Sequence, residues 1–200
     1  MERLGIIGGT FDPIHLAHVY IAEVAKAALN LDRVIFMVAG SPPHKTNKQI
    51  SDADVRYKMT EFAIMNKEGL EVSDYEIKEQ GLSYTYKTLE HLNNSNRELY
   101  FITGGDCLMN IESWRNVPEI LSLCQFVVVT RPGVDNDKLI KQRDYISSKY
   151  NSNIVFLEVD GINISSTEIR EKISKGEDVS KYLNTEVQKI IADNNLYKGE

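Results

Sequence analysis

Two short stretches of this 200-residue chain hold three of its four histidines, and a third sets paired hydroxyls beside an arginine. The first reads Gly8-Gly9-Thr10-Phe11-Asp12-Pro13-Ile14-His15-Leu16-Ala17-His18. Gly8 and Gly9 follow a short apolar run, allow the chain to turn sharply and let an anion approach the backbone. A helix beginning just beyond them would aim unpaired N–H groups and its positive dipole end at the same place. His15 and His18, three positions apart, then share one helix face. Two imidazoles directed at one phosphate can donate hydrogen bonds to oxygens that gain charge in a transition state. A single histidine at a helix end reads more simply as a cap or a packed ring. Two on one face, behind a Gly-Gly turn, favour the phosphate. The loop is neither a Walker A loop, since no GK[ST] follows, nor GxGxxG.

The second stretch is Ser41-Pro42-Pro43-His44-Lys45, where two prolines stiffen a loop and Lys45 offers a mobile point charge. By itself it would be an exposed lysine in a proline turn. The third runs from Asn163 through Ser165, Ser166 and Thr167 to Arg170. Ser165 is placed to cap a helix, with Ser166, Thr167 and, one turn on, Arg170 on the same side. Backbone donors, hydroxyls and a planar guanidinium together make a polyphosphate clamp. A routine cap with a surface arginine explains the stretch equally well in isolation.

These loops need strands to hold them. The runs 3–7, 33–39, 98–103, 125–130 and 154–159 are apolar and β-branched, and 70–79 also reads as strand. The first ends abruptly at Gly8-Gly9. Helical spacing follows it at Val19, Ala22, Ala25, Ala28 and Leu29. Ser51 with Asp54 resembles a capping box, ahead of a face made by Val55, Met59, Phe62 and Ala63. Ser83 is placed to cap a helix through residue 93, and 135–148, 166–175 and 185–194 also read as helices. Strands alternating with helices give βαβ units and a single doubly wound, Rossmann-like α/β domain over 1–200, its mostly parallel sheet flanked by helices. Ligands bind such sheets beyond the carboxyl ends of the strands, where all three stretches fall.

Composition removes several classes of function. Hydrophobic residues at 42% and charged residues at 26% exclude disorder and fibrous repeats. A net charge of −6 is not suited to coating nucleic acid or anionic lipid. Cys107 and Cys124 show no CxxC spacing and read as reduced thiols. No signal-peptide pattern and no apolar run of about 18 residues is present, so the expectation is a cytoplasmic protein without membrane or nucleic-acid partners.

Together the three stretches resemble the HxGH nucleotidyltransferase superfamily and, more narrowly, the bacterial nicotinate mononucleotide adenylyltransferases. Ser83-Tyr84-Thr85 is similar to that family's S-Y-T element, Gly104-Gly105-Asp106 to its G-x-D turn, Trp114 to its ring-stacking aromatic and Arg131-Pro132-Gly133 to its R-P-G. The resemblance covers nearly the whole chain, with one departure: Ala17 stands where the HxGH glycine would be. It implies adenylyl transfer from ATP to nicotinate mononucleotide, giving deamido-NAD and pyrophosphate in NAD biosynthesis, by direct in-line attack without a covalent intermediate.

Carried onto this chain, the catalytic residues would be His15, His18 and Arg170. ATP would meet Gly8, Gly9, Thr10, Phe11, Ser165, Ser166, Thr167 and Arg131. The mononucleotide would meet Lys45, Tyr84, Thr85, Gly104, Asp106 and Trp114, and a helical part at about 163–196 would complete the triphosphate site. Mg²⁺ would ride on ATP phosphates and water, so no residue is assigned to a metal. Other readings are phosphopantetheine as acceptor, the amide mononucleotide as acceptor, or a non-catalytic nucleotide sensor. A dehydrogenase would need GxGxxG and an acid about 20 residues later, which this chain lacks. A homo-oligomer stays open, because Val187, Ile190 and Ile191 form an apolar side that could pack on the domain or on a second copy.

Overall fold

In the computed structural model, which describes residues 1–42, 50–79, 81–131, 136–160 and 164–198, the first strand, β1 (Glu2–Gly9), runs through the middle of the fold with residues 4–7 buried. The six strands lie in the order β3-β2-β1-β4-β5-β6, where β2 is Arg33–Val38, β3 Leu70–Ser73, β4 Arg97–Gly104, β5 Cys124–Thr130 and β6 Ile154–Glu158. Every neighbouring pair is parallel. The chain fills one side of β1 with β2 and β3, then crosses to build β4, β5 and β6 on the other. That reversal opens a crevice at the carboxyl ends of β1 and β4, where no crossover covers the strand ends.

Alternate residues of each strand feed two cores, as a sheet buried on both faces requires. Val34, Phe36 and Val38 enter the core shared with α1 (Leu16–Ala28), α2 (Ala53–Ile64), α8 (Ser166–Ser174) and α9 (Thr185–Asp193). Ile35 and Met37 enter the opposite core, with α4 (Thr85–Leu92), α5 (Gly105–Met109), α6 (Val117–Leu123) and α7 (Asp137–Tyr150). Val187 and Ile191 of α9 bury within the first core, with Ile190 packed against it, so this apolar side is covered by its own chain.

The structure corrects four local expectations. First, Gly8 and Gly9 do not end the strand but pair with Met37 and Val38 in the ladder. The turn comes at Phe11, which adopts φ 50. A Cβ on Gly9 would stand 2.8 Å from the Phe11 ring, so the glycine lets that ring fold back. Second, strand β3 stops at Ser73 and a helical turn, α3 (Tyr75–Lys78), replaces its expected continuation. Ser73 Oγ accepts from Tyr75 N at 3.2 Å, turning the chain out of the ladder.

Third, Asp52 rather than Ser51 caps α2, accepting from Asp54 N at 2.9 Å. The buried face of α2 is accordingly Arg56, Met59, Thr60 and Ile64, while Val55, Phe62 and Ala63 are half-buried. Fourth, Tyr84 occupies the cap of α4, because the Ser83 hydroxyl is engaged elsewhere. Helices α5 and α6 were not read from the sequence at all. Among the described residues no helix is long and apolar enough to cross a membrane.

Gly40 lies where β2 leaves the sheet, and a Cβ there would collide with the Glu76 carbonyl oxygen of α3. Gly40→Ala is therefore expected to cost about 1–3 kcal/mol through forced backbone movement, read as a fall in melting temperature of about 2–4 °C per kcal/mol.

Candidate active site

Two neighbouring cavities open at the crevice. One, of about 610 Å³, is walled by Gly8–Asp12, His18, Thr103–Cys107, Arg131, Ser166 and Arg170, with Lys138 and Leu139 from α7. The other, of about 490 Å³, is walled by Gly8–Thr10, Met37, Ala39, Glu76, Ser83–Thr85, Thr88, Phe101, Cys107 and Trp114. Gly8, Gly9, Thr10, Thr103 and Cys107 belong to both. The end of β1 and the start of α5 thus form a shared wall between two small-molecule-sized chambers.

His15 caps α1 and His18 sits in its first turn, their rings stacked with centroids 3.7 Å apart. The backbone N–H of His15 donates to Nδ1 of His18 at 3.3 Å. With Nδ1 accepting, the neutral ring carries its proton on Nε2. Phe11 meets the same ring edge-on at 5.3 Å. His15 is 6% exposed and lines neither cavity. Burial pushes its imidazole down to about 4, against a small opposing pull from Glu168, so it is neutral near pH 7.

The start of α8 is fastened to the β1 loop. Ser166 Oγ donates to the Pro13 carbonyl at 2.9 Å. Arg170 donates from Nη1 to the Asp12 carbonyl at 2.7 Å and from Nη2 to Thr167 Oγ1 at 3.1 Å. Ser165 caps the helix in a reciprocal box, accepting from Glu168 N at 3.2 Å and donating to Glu168 Oε2 at 2.7 Å. Its hydroxyl is committed there, and neither Ser165 nor Thr167 lines the cavity that Ser166 and Arg170 do.

Residues 6–172 match the family described as cytidylyltransferase-like. A relative from Clostridium botulinum (strain Eklund 17B) named "Probable nicotinate-nucleotide adenylyltransferase" is 54% identical over 200 residues, spanning 100% of both chains. Another of that name from Clostridium novyi is 52% identical, covering 99% of this chain and 100% of its own. The chain belongs to this cytidylyltransferase-like family, alongside these nicotinate-nucleotide adenylyltransferase relatives. The fold is shared with Plasmodium falciparum nicotinic acid mononucleotide adenylyltransferase complexed with NaAD, at a TM-score of 0.79, 21% identity and 98% coverage of each chain.

In this cytidylyltransferase-like chain, Trp114 is half-buried in the wall of the second cavity. It meets Phe101 edge-on at 6.0 Å and Phe126 at 6.4 Å. It therefore fills core on one side and faces the cavity on the other. Tyr84 and Thr85 stand in the same wall at the start of α4. Gly104 and Asp106, grouped with the mononucleotide by resemblance, line the first cavity and not the second. Ala17 is buried in the core and lines neither, so its methyl group does not crowd either chamber. Lys45 lies outside the described residues, as do Pro132 and Gly133. Among the described residues, no group of three or more His, Cys, Asp or Glu side chains is arranged to hold a metal ion.

Three site features were missed in the sequence. Glu76 lies in the second cavity's wall and accepts from the Thr88 hydroxyl at 2.5 Å, and burial pushes its carboxyl up. Ser83 Oγ accepts from Gly40 N at 3.0 Å and Ser41 N at 3.3 Å, tying the β2 loop to that wall. Cys107 stands on the shared wall, its thiol pushed up by burial and so held protonated.

The β1 and β2 ends meet on Arg56, which is 1% exposed. Its guanidinium donates to Ser51 O at 2.9 Å, Thr10 O at 2.8 Å, Ala39 O at 2.7 Å and Gly40 O at 3.3 Å. Burial penalises the charge, and Asp12 and Asp52 offset that penalty. Two predictions follow from these buried groups. Arg56→Met strands four carbonyl acceptors at the junction and should cost about 3–5 kcal/mol, measured by urea denaturation. For His15, the folded pKa of about 4 lies below the usual 6.5. Below pH 6.5 the unfolded chain takes up a proton that the folded chain refuses, so stability falls as pH drops toward 4. That amounts to about 3 kcal/mol at about 1.4 kcal/mol per unit. His15→Asn should flatten this part of the pH–stability curve.

Proposed function

We propose that the protein transfers the adenylyl group of ATP to nicotinate mononucleotide, yielding deamido-NAD and pyrophosphate in NAD biosynthesis. The observation that carries the reading is the shared wall. One chamber is fitted with His18, Ser166 and Arg170 for a triphosphate, the other with Trp114 and an α4 start for a flat acidic ring, and they meet at Gly8–Thr10. The relatives' names support it independently.

The mononucleotide phosphate attacks the α-phosphorus of ATP in line, forming one P–O bond as the bond to the leaving pyrophosphate breaks. Catalysis is by positioning and charge stabilisation. The Nε2–H of His18 donates to an α-phosphate oxygen, and His15 fixes that ring from behind. Gly8, Gly9 and Thr10 bring backbone close to the phosphates, with Phe11 shaping the loop. Arg170, Ser166 and the first turn of α8, which Ser165 caps and Thr167 braces through Arg170, take the β- and γ-phosphates. In this way the segment at about 163–196 completes the triphosphate site. Arg131 lies toward the adenine, and Asp106 with Gly104 toward the ATP sugar.

Trp114 stacks on the pyridine ring, and the N–H groups at Tyr84–Thr85 receive its carboxylate. Lys45 pairs with the mononucleotide phosphate. Mg²⁺ would enter with ATP, held by phosphate oxygens and water, and would neutralise phosphate charge there. We assign the enzyme to the cytoplasm, where free thiols at Cys107 and Cys124 persist.

The deciding assay is pyrophosphate release from ATP and Mg²⁺ with nicotinate mononucleotide, nicotinamide mononucleotide and phosphopantetheine in parallel. Turnover with the acid is expected; turnover only with phosphopantetheine would overturn the acceptor assignment. His18→Ala should lower kcat about 10²–10³-fold with melting little changed, and a variant within a few-fold of the parent would remove His18 from the chemistry.

A further inference from the structure

Tyr197 stands near the end of the chain in a turn with two left-handed residues, Asn195 at φ 52 and Tyr197 itself at φ 60. Side chains rarely adopt such backbone, and it persists where surrounding contacts over-determine it. The ring of Tyr197 packs beside Leu196 against the first core. Its hydroxyl reaches back 185 positions to donate to Asp12 Oδ1 at 2.5 Å.

Asp12 is 5% exposed and stands in the loop that walls the first cavity. Its other oxygen accepts from Ser51 N at 3.4 Å, and its carbonyl accepts from Arg170 Nη1 at 2.7 Å. A carboxylate beside a chamber built for phosphates would repel them if it turned inward. Here both of its oxygens are engaged, with the Arg56 guanidinium near enough to feel the charge. The same residue that Tyr197 holds by its side chain holds Arg170 by its main chain.

We propose that Tyr197 is a positioning residue for nucleotide binding: it fixes the Asp12 carboxylate away from the phosphates and so holds the Asp12 carbonyl where it aims Arg170 into the first cavity. The inference rests on the proposed function only in naming the nucleotide as ATP. Nothing in the sequence motifs pointed to this tyrosine, which lies beyond the last of them.

Tyr197→Phe keeps the ring and removes only the hydroxyl, so the core contacts survive. Three readouts test it, and two need no turnover. Calorimetric Kd for a non-hydrolysable ATP analogue should rise about ten-fold, as expected for losing a hydrogen bond to a charged group. Hydrogen exchange of amides 9–15 should quicken while amides of α9 keep their protection. In steady state, KM for ATP should rise with KM for nicotinate mononucleotide unchanged. Adding Tyr197→Phe to Asp12→Asn should weaken analogue binding less than it does in the parent, because the two share one contact. Parental analogue affinity and parental exchange at 9–15 would overturn the proposal. So would faster exchange spread over α9 with a matching fall in melting temperature, which would make Tyr197 a fold contact only. Parent protein that binds the analogue yet releases no pyrophosphate would sink the proposed reaction, and the binding and exchange results would still judge Tyr197.

Discussion

A parallel sheet can be entered by a ligand only where no crossover closes the strand ends, and in this fold that happens between β1 and β4. The chain leaves β1 toward β2 on one side and returns to β4 on the other, in the order β3-β2-β1-β4-β5-β6. Both cavities open at that gap. The β1 loop, the first turn of α1, the start of α5 and the start of α8 converge there because each begins at, or folds back onto, a strand end beside it. The two chambers share a wall for the same reason: β1 and β4 are neighbours, with Ile7 beside Ile102 at the end of their pairing.

Parallel strands whose ends diverge into loops leave carbonyls without ladder partners, and Arg56 is the answer to that problem. One guanidinium meets acceptors from the β1 loop, from the β2 end and from the turn before α2. A planar group with five donors suits three directions at once, whereas a lysine ammonium offers a point charge and three. The buried charge is tolerable because each of its three nitrogens is bonded and because Asp12 and Asp52 lie near. A second polar tie, from Ser83 to the amides of Gly40 and Ser41, fixes the β2 loop to the other chamber. These ties join the walls of the two cavities through the β2 end.

Strand composition made the sheet legible: runs such as 33–39 and 125–130 are too apolar and β-branched for anything but a doubly buried strand. Glycine, histidine and hydroxyl spacing also pointed to one place, and Gly8, Gly9, His18, Ser166 and Arg170 do line one cavity. What escaped was long-range or internal. Arg56 sits on an amphipathic helix where a charged residue ordinarily faces solvent, so periodicity placed the apolar face one residue off, at Val55. Ser83 and Ser51 look like caps, yet tertiary partners claimed their polar groups and left capping to Tyr84 and Asp52. Glu76 fell in a run read as strand, because the turn at Ser73 depends on a local side-chain bond that hydrophobic patterning does not record. Tyr197 carries no local signal at all. Its meaning lies wholly in a partner at the other end of the chain.

The histidine pair shows how geometry divides a motif that sequence treats as symmetrical. Spacing of three placed both rings on one face, and they do stack, but stacking puts one ring behind the other. The rear ring, His15, pays for burial with its charge, while its backbone N–H fixes the proton of the front ring on Nε2. The front ring, His18, lines the first cavity, and the rear ring does not. Positive charge in the wall of the first cavity comes from Arg131, Lys138 and Arg170, the last of which is aimed by its bond to the Asp12 carbonyl. Charge and hydrogen bonding are thus supplied by different residues from different elements, and the β1 loop is the part they hold in common.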